Sequence, residues 1–123
     1  MNIIAIALGG AFGALCRYYI SGIFYRWLPG DFPIGTLMVN VIGSFLLAFL
    51  MTLFSDKLII SPSVKSLLSI GFLGAFTTFS TFSYETLRLF QRGEFWLVAS
   101  NIILNVALTL IFAWLGFVLA KQL

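Results

Sequence analysis

Four long apolar stretches, separated by short charged breaks, organise the chain. They run from Ile3 to about Tyr25, from Pro33 to about Phe54, from about Val64 to Phe90 and from Phe95 to about Ala120. A helix needs about 20 mostly apolar residues to cross the hydrocarbon core of a membrane. The pattern therefore predicts an all-α membrane protein in which residues 1–123 form a single domain of four transmembrane helices.

The composition supports a membrane protein and argues against several other classes. Hydrophobic residues make up 61% of the chain and charged residues 9%, whereas a soluble domain carries about 25% charged residues. There is no His and only one Cys, and no nucleophile–base pair is visible, so neither a His/Cys metal cluster nor an enzyme is expected. The few basic residues are spread along the chain, so no nucleic-acid partner is expected.

Lys and Arg are balanced between the two sides of the membrane that four spans define. The two sets are Lys57, Lys65 and Lys121 on the side of the termini, and Arg26, Arg88 and Arg92 on the other. Orientation is normally set by an excess of Lys and Arg on cytoplasmic loops. This excess is zero, or one if Arg17, which lies inside the first span, or the N-terminal amine is assigned to a side. Either the chain inserts both ways and pairs with an inverted copy of itself, or other features set one orientation.

Short-range signals predict where helices begin and where they touch. Residues Ser61 to Ser63 are expected to form the capping region that opens the third span. Gly9 and Gly13 are four residues apart, a spacing that lets two helix backbones approach closely in a membrane. Gly71 and Ala75 repeat this spacing in the third span, and we interpret both pairs as packing seams.

The third span has a local anomaly near its centre. Hydroxyl residues interleaved with Phe run from Thr77 to Ser83, shortly after Gly71 and Gly74. Gly, Ser and Thr weaken a helix, and hydroxyls compete for backbone hydrogen bonds. The pattern favours a helix broken near mid-membrane, with a continuous helix of self-bonded hydroxyls as the alternative. Backbone freed by a break would lie inside protein or beside a polar cavity, where carbonyls suit a cation and amides an anion.

Asparagines in the second and fourth spans are further candidates, because polar groups inside a membrane are costly. Asn40 offers two hydrogen-bond donors and one acceptor. Asn101, Asn105 and Thr109 recur every four residues and therefore share one face of the fourth span. Hydration of a pathway and hydrogen bonding between helices both explain such a stripe.

Aromatic rings and two charged side chains complete the polar inventory of the spans. The edge of a benzene ring is positive, so Phe79 and Phe82 could line an anion path, although simple packing is the alternative. Arg17 is expected to extend towards the nearer interface. Glu85 is expected to pair with Arg88, three residues later.

Three blocks of sequence, spread over essentially the whole chain, carry a family resemblance. They are Gly9–Ala14 with Arg17-Tyr18, Gly35–Phe45, and Gly71–Gly74 leading into Thr77–Ser83 with Glu85. The third block is highly specific. In this order and at this spacing, the blocks resemble the CrcB/Fluc family of fluoride channels.

The resemblance implies an antiparallel, dual-topology homodimer with two pores, in which each subunit has four helices. It implies pore and fluoride-binding roles for Asn40, Phe79, Ser80, Thr81, Phe82, Asn105 and Thr109. An Asn at position 105 departs from the Ser or Thr usual in the family's polar track. The resemblance further implies a structural Na⁺ at the dimer centre, held by the main-chain carbonyls of Gly74 and Thr77, and leaves structural roles for Arg17 and Glu85.

The function implied by the resemblance is passive, electrogenic export of fluoride from the cytoplasm through the plasma or inner membrane of a bacterium, which lowers fluoride toxicity. Two alternatives belong to other classes. A small multidrug-type, proton-coupled exporter needs a deeply buried carboxylate, for which Glu85 is the only candidate and lies towards a helix end. A structural membrane protein would use its polar residues only to bind helices together.

Overall fold

The computed structural model describes residues 2–123 of the chain. Within that range, four helices are long and apolar enough to cross a membrane: Asn2–Trp27, Ile34–Asp56, Pro62–Gln91 and Phe95–Gln122. No β-strand occurs in the same range. The predicted all-α architecture of four spans is confirmed, and each end lies within two residues of its predicted position.

The third span is built from several short helical elements, whereas the other three spans are single helices. The elements are α1 (Asn2–Trp27), α2 (Ile34–Asp56), α3 (Pro62–Ser66), a π-helical segment (Leu67–Leu73), α4 (Gly74–Phe76), α5 (Ser80–Gln91) and α6 (Phe95–Gln122). At the start of α3, the Ser61 hydroxyl accepts a hydrogen bond from the Val64 amide at 3.2 Å, and Pro62 occupies the first turn. The predicted cap is confirmed.

Glycines hold α1 against the π-helical segment at backbone contact. A Cβ atom added to Gly13 would lie 2.1 Å from the Phe72 carbonyl oxygen, and one added to Gly9 would lie 2.2 Å from that of Leu67. From the other side, a Cβ on Gly71 would lie 2.7 Å from the carbonyl oxygen of Ile6. The predicted small-residue seam is confirmed, and it fixes the first half of the third span on α1.

A second close contact joins α2 to α6. A Cβ on Gly116 of α6 would lie 2.4 Å from the Phe45 carbonyl oxygen of α2. Between the two seams lies a core of Val39, Leu73 and Phe76, each at most 2% exposed. Phe76 is the last residue of α4, so this core anchors the point where helical structure in the third span stops.

We expect Gly13→Ala to destabilise the fold, because the new methyl group would overlap the Phe72 carbonyl and force the seam apart. Overpacking of this kind costs about 1–3 kcal/mol. Gly22→Ala is the matched control, since a Cβ there meets nothing within 4 Å. Thermal unfolding in detergent checks the difference, and equal midpoints for the two variants would contradict the seam.

Candidate functional site

The third span departs from helical geometry over three residues. Thr77 has ψ 160°, which is extended, and regular helix resumes only at Ser80. The Thr77 amide donates to the Leu73 carbonyl at 3.1 Å, and the Thr78 amide donates to a side chain of α2. The Gly74 carbonyl therefore lacks the partners that a continuous helix would give it. How deep this interruption lies in a bilayer stays a prediction.

Asn40 of α2 pairs with both backbone polar groups of Thr78. Its Oδ1 accepts from the Thr78 amide at 2.8 Å, and its Nδ2 donates to the Thr78 carbonyl at 3.0 Å. The side-chain amide thus takes the place of a neighbouring peptide group and supplies the hydrogen bonds that the interruption removes. This two-point contact, which we call the Asn40 clamp, ties α2 to the centre of the third span.

Thr78 also begins the next helix. Its hydroxyl oxygen accepts from the Thr81 amide at 3.1 Å, and the two hydroxyls are hydrogen-bonded at the same distance. A Thr that accepts from an amide three residues later is a typical helix N-cap. Thr78 was not among the site residues indicated by the sequence. A Thr three residues before another residue of a helix start is nevertheless the spacing of an N-cap, and that spacing could have identified it.

A ladder of asparagines continues from the Asn40 clamp into α6. The second Nδ2 hydrogen bond of Asn40 goes to Asn105 Oδ1 at 3.1 Å. Asn105 in turn donates to Asn101 Oδ1 at 2.9 Å, and Asn101 donates to the Thr86 hydroxyl of α5 at 2.9 Å. Asn101 is 1% exposed and Asn105 is 6% exposed. The stripe predicted on the fourth span therefore bonds helices together, and it does so by linking α2, α6 and α5.

A cavity of about 350 Å³ opens beside this ladder. Its walls are Asn40, Ser44, Gly74, Thr77, Thr78, Phe79, Phe82, Asn105, Val106 and Thr109. Five of the seven pore residues suggested by the sequence line this cavity, together with both residues suggested for Na⁺. The structure brings these residues to one place, while their roles stay a prediction.

Two aromatic rings form the open side of the cavity. Phe79 is 78% exposed, and its ring centroid lies 5.4 Å from that of Phe82 with the planes tilted by 50°. On the facing side, the Thr109 hydroxyl is bound to the Asn105 carbonyl. Among residues 2–123, the Ser44 hydroxyl makes no hydrogen bond, so it is a donor that a ligand could take.

The other two candidate pore residues lie outside this cavity. Thr81 lines a second cavity of about 270 Å³, which it shares with Thr78, Arg17 and Glu85. Ser80 is exposed and lines neither cavity. Because Thr78 lines both cavities, the interruption stands between them.

The expected ion pair between Glu85 and Arg88 is wrong. Glu85 Oε2 accepts from the Tyr25 hydroxyl of α1 at 3.0 Å, and within residues 2–123 the only ion pair joins Lys121 to Asp56. The Arg88 guanidinium lies 5.9 Å from the centroid of the Tyr84 ring instead. A tertiary contact from α1 has replaced the local pair, and Glu85 Oε1 is buried without a hydrogen-bond partner.

Comparison with known proteins decides the family. The family model described as "CrcB-like protein, Camphor Resistance (CrcB)" matches residues 4–117. The chain belongs to the CrcB family. A fluoride-specific ion channel FluC of Geotalea daltonii is 45% identical over 99% of this chain and 98% of its own length. Its namesake in Campylobacter lari is 49% identical over 98% of both chains.

One relative is considerably longer than this CrcB-family chain. The fluoride-specific ion channel FluC of Methylococcus capsulatus is 48% identical over 100% of this chain but only 54% of its own length. The chain therefore spans about half of that relative and nearly all of the two others.

Three residues that the sequence did not single out as site residues complete the polar framework of this family member. Thr78 is held by the Asn40 clamp, Thr86 receives the end of the asparagine ladder, and Tyr25 binds Glu85. Thr86 in turn donates to the Phe82 carbonyl at 2.7 Å. The ladder therefore ends on the backbone of a residue whose ring lines the first cavity.

We expect Asn40→Leu, which keeps the branching at Cγ and removes all three hydrogen bonds, to lower the free energy of unfolding by about 2 kcal/mol or more, since both polar groups of Thr78 lose their partners. Ser44→Ala is the control, because Ser44 lines the same cavity one helical turn later and makes no hydrogen bond within residues 2–123. Thermal unfolding and hydrogen exchange at the Thr78 amide check both variants. Unchanged protection of that amide in Asn40→Leu would contradict the clamp.

Proposed function

We propose that this chain forms a fluoride channel that lets the ion leave the cytoplasm passively, across the plasma or inner membrane of a bacterium. Relatives that share nearly half of its residues are named fluoride-specific ion channels. The observation that carries the proposal is the cavity that two phenylalanines line together with amide and hydroxyl side chains, beside an interrupted helix. An inside-negative potential favours anion exit by about 2.3 kcal/mol per 100 mV.

Fluoride is small and strongly hydrated, so a pore has to replace its water with hydrogen-bond donors. Both N–H groups of Asn40 are engaged, one by Thr78 and one by Asn105. We propose that fluoride takes over the N–H that Asn105 accepts, because a hydrogen bond to an anion is about twice as strong as one to a neutral carbonyl. The bond to Thr78 then stays, and the clamp keeps its geometry.

The remaining donors around such an ion are weak, which suits conduction. The Ser44 hydroxyl is unengaged within residues 2–123, and the positive edges of Phe79 and Phe82 can approach an anion without carrying a full charge. A conducting site has to bind well enough for the ion to enter and weakly enough for it to leave. One exchangeable amide, one hydroxyl and two ring edges meet this requirement better than a fixed cation would.

An antiparallel dimer is part of the proposal. Gly74 and Phe79 are exposed in the single chain, yet irregular backbone facing lipid is not tolerated at membrane depth. A second copy is the partner proposed to cover this surface. The equal numbers of Lys and Arg on the two sides favour copies inserted in opposite orientations, and two such copies carry two pores.

A structural Na⁺ at the centre of that dimer fits the residues present. Na⁺ is a hard cation and takes oxygen ligands. The Gly74 carbonyl lacks its helical partners, and the extended ψ of Thr77 turns its carbonyl out of the helical direction. We propose that these two carbonyls from each copy hold the ion. When bound, it would balance the negative ends of carbonyl dipoles that otherwise repel each other.

A proton-coupled exporter remains the rival function, and the surroundings of Glu85 argue against it. Coupling requires a carboxylate that exchanges protons with substrate in a shared path. One oxygen of Glu85 is occupied by Tyr25, and the other is buried. The cavity with the aromatic rings does not include Glu85.

We expect purified protein in liposomes to release fluoride faster than protein-free vesicles do, without a proton gradient. Phe79→Ile should slow that release by about tenfold, the equivalent of about 1.4 kcal/mol for the loss of a ring edge. The fold of the single chain should be kept, since Phe79 is 78% exposed in it. Phe90→Ile is the control, because that ring is 56% exposed in the same span and lines neither cavity described above. Release that requires a proton gradient would support the exporter instead.

We expect a cysteine at either end of the bundle to be labelled from both sides of the membrane. In a Cys16→Ser background, Leu123→Cys and Asp31→Cys probe opposite ends, and a membrane-impermeant reagent should reach about half of each population if both orientations insert. One position fully labelled and the other fully protected would show a single orientation and overturn the antiparallel dimer.

A further inference from the structure

A third cavity, of about 300 Å³, carries most of the basic charge near the pore residues. It lies beside α5 and is lined by Pro33, Thr81, Tyr84, Glu85, Arg88 and Arg92. Arg88 and Arg92 are four residues apart at the end of the helix, so their side chains share one face. Glu85, three residues before Arg88, lies on the same face, so the cavity carries two positive charges and one negative charge.

Both guanidinium groups are free to attract an anion. The only ion pair within residues 2–123 joins Lys121 to Asp56, at the other end of the bundle. Arg88 lies over the Tyr84 ring, and Glu85 accepts its hydrogen bond from Tyr25 rather than from an arginine. Two arginines without a carboxylate partner, facing one cavity, produce a positive potential there.

This cavity is connected to the candidate pore residues by shared walls. Thr81 and Glu85 line both the third and the second cavity. Thr78 lines both the second and the first, and its hydroxyl is bonded to that of Thr81 at 3.1 Å. An anion that collects at the arginines is therefore next to the hydroxyl pair at the interruption.

We propose that Arg88 and Arg92 form an anion-collecting mouth, which raises the local concentration of fluoride at this end of the path. The inference rests on the channel function proposed above and adds two residues to it. The cavity has a net positive charge, and a positive potential in a cleft raises the local concentration and the arrival rate of an anion. The charges also suit the end of a helix, whose dipole favours cations, but that structural role would leave fluoride flux unchanged.

Salt separates the two roles. The Debye length is about 30 Å at 0.01 M ionic strength and about 3 Å at 1 M. A mouth that acts through its electric field therefore loses its effect when an impermeant salt is added. If the arginines instead contribute to folding or to the internal hydrogen bonds of the pore, their removal changes the flux equally at low and at high salt.

The test compares the wild type, R88Q/R92Q and R26Q in vesicles of neutral lipid. R26Q is the control, because it removes one basic charge, where the double variant removes two, on the same side of the bundle, and Arg26 lines none of the three cavities. At about 0.01 M ionic strength, the fluoride concentration that gives half-maximal flux should rise at least threefold in R88Q/R92Q and stay unchanged in R26Q. At about 1 M the three proteins should agree, and the maximal flux should be the same throughout.

Each other outcome rejects the mouth. If R88Q/R92Q matches R26Q, or loses maximal flux independently of salt, the arginines do not collect anions. If the effect appears only when anionic lipid is added to the vesicles, their ligand is a lipid phosphate. A wild-type protein that does not conduct fluoride rejects the proposed function as well. If the wild type conducts and R88Q/R92Q conducts equally well at low salt, only the mouth is rejected.

Discussion

The structure depends on one constraint: the backbone polar groups that lose their helical partners at the interruption of the third span need other hydrogen-bond partners. The Asn40 clamp meets this constraint for Thr78, because one side-chain amide offers a donor and an acceptor at the spacing of a peptide group. An apolar side chain can do neither, and a hydroxyl has its donor and its acceptor on one atom rather than at that spacing. The position of α2, the start of α5 and the cavity between them all follow from this pairing.

The clamp would have no fixed geometry without the two glycine seams. The seam of Gly9, Gly13 and Gly71 sets the first half of the third span on α1, and Gly116 sets α6 on α2. Asn40 and Asn105 therefore face each other from helices that are already held in register. The glycines thus fix the distances between helices, and the polar residues form hydrogen bonds across them, as is common in membrane bundles.

Sequence reasoning located what depends on local pattern. The four spans, the Ser61 cap and the glycine seam follow from hydropathy, capping chemistry and spacing, and all three are confirmed. It failed for Glu85, whose partner Tyr25 lies 60 residues away on another helix. It also named Asn40 without its partner Thr78. Asn40 binds the backbone of Thr78, and backbone groups do not depend on which residue occupies the position. The roles proposed in conduction and in Na⁺ binding would depend on a second copy of the chain, which spacing within one chain cannot describe.

The π-helical segment bears on how this chain can change in length. Such a segment arises when an α-helix accommodates one extra residue. The wider turns take up more than the 3.6 residues of an α-helical turn, so the residues before and after the segment keep their relation to each other. Gly71 lies against α1 while Thr78 lies against Asn40. The segment therefore sets the phase between the glycine seam and the Asn40 clamp, and a return to ordinary pitch with one residue fewer would preserve that phase.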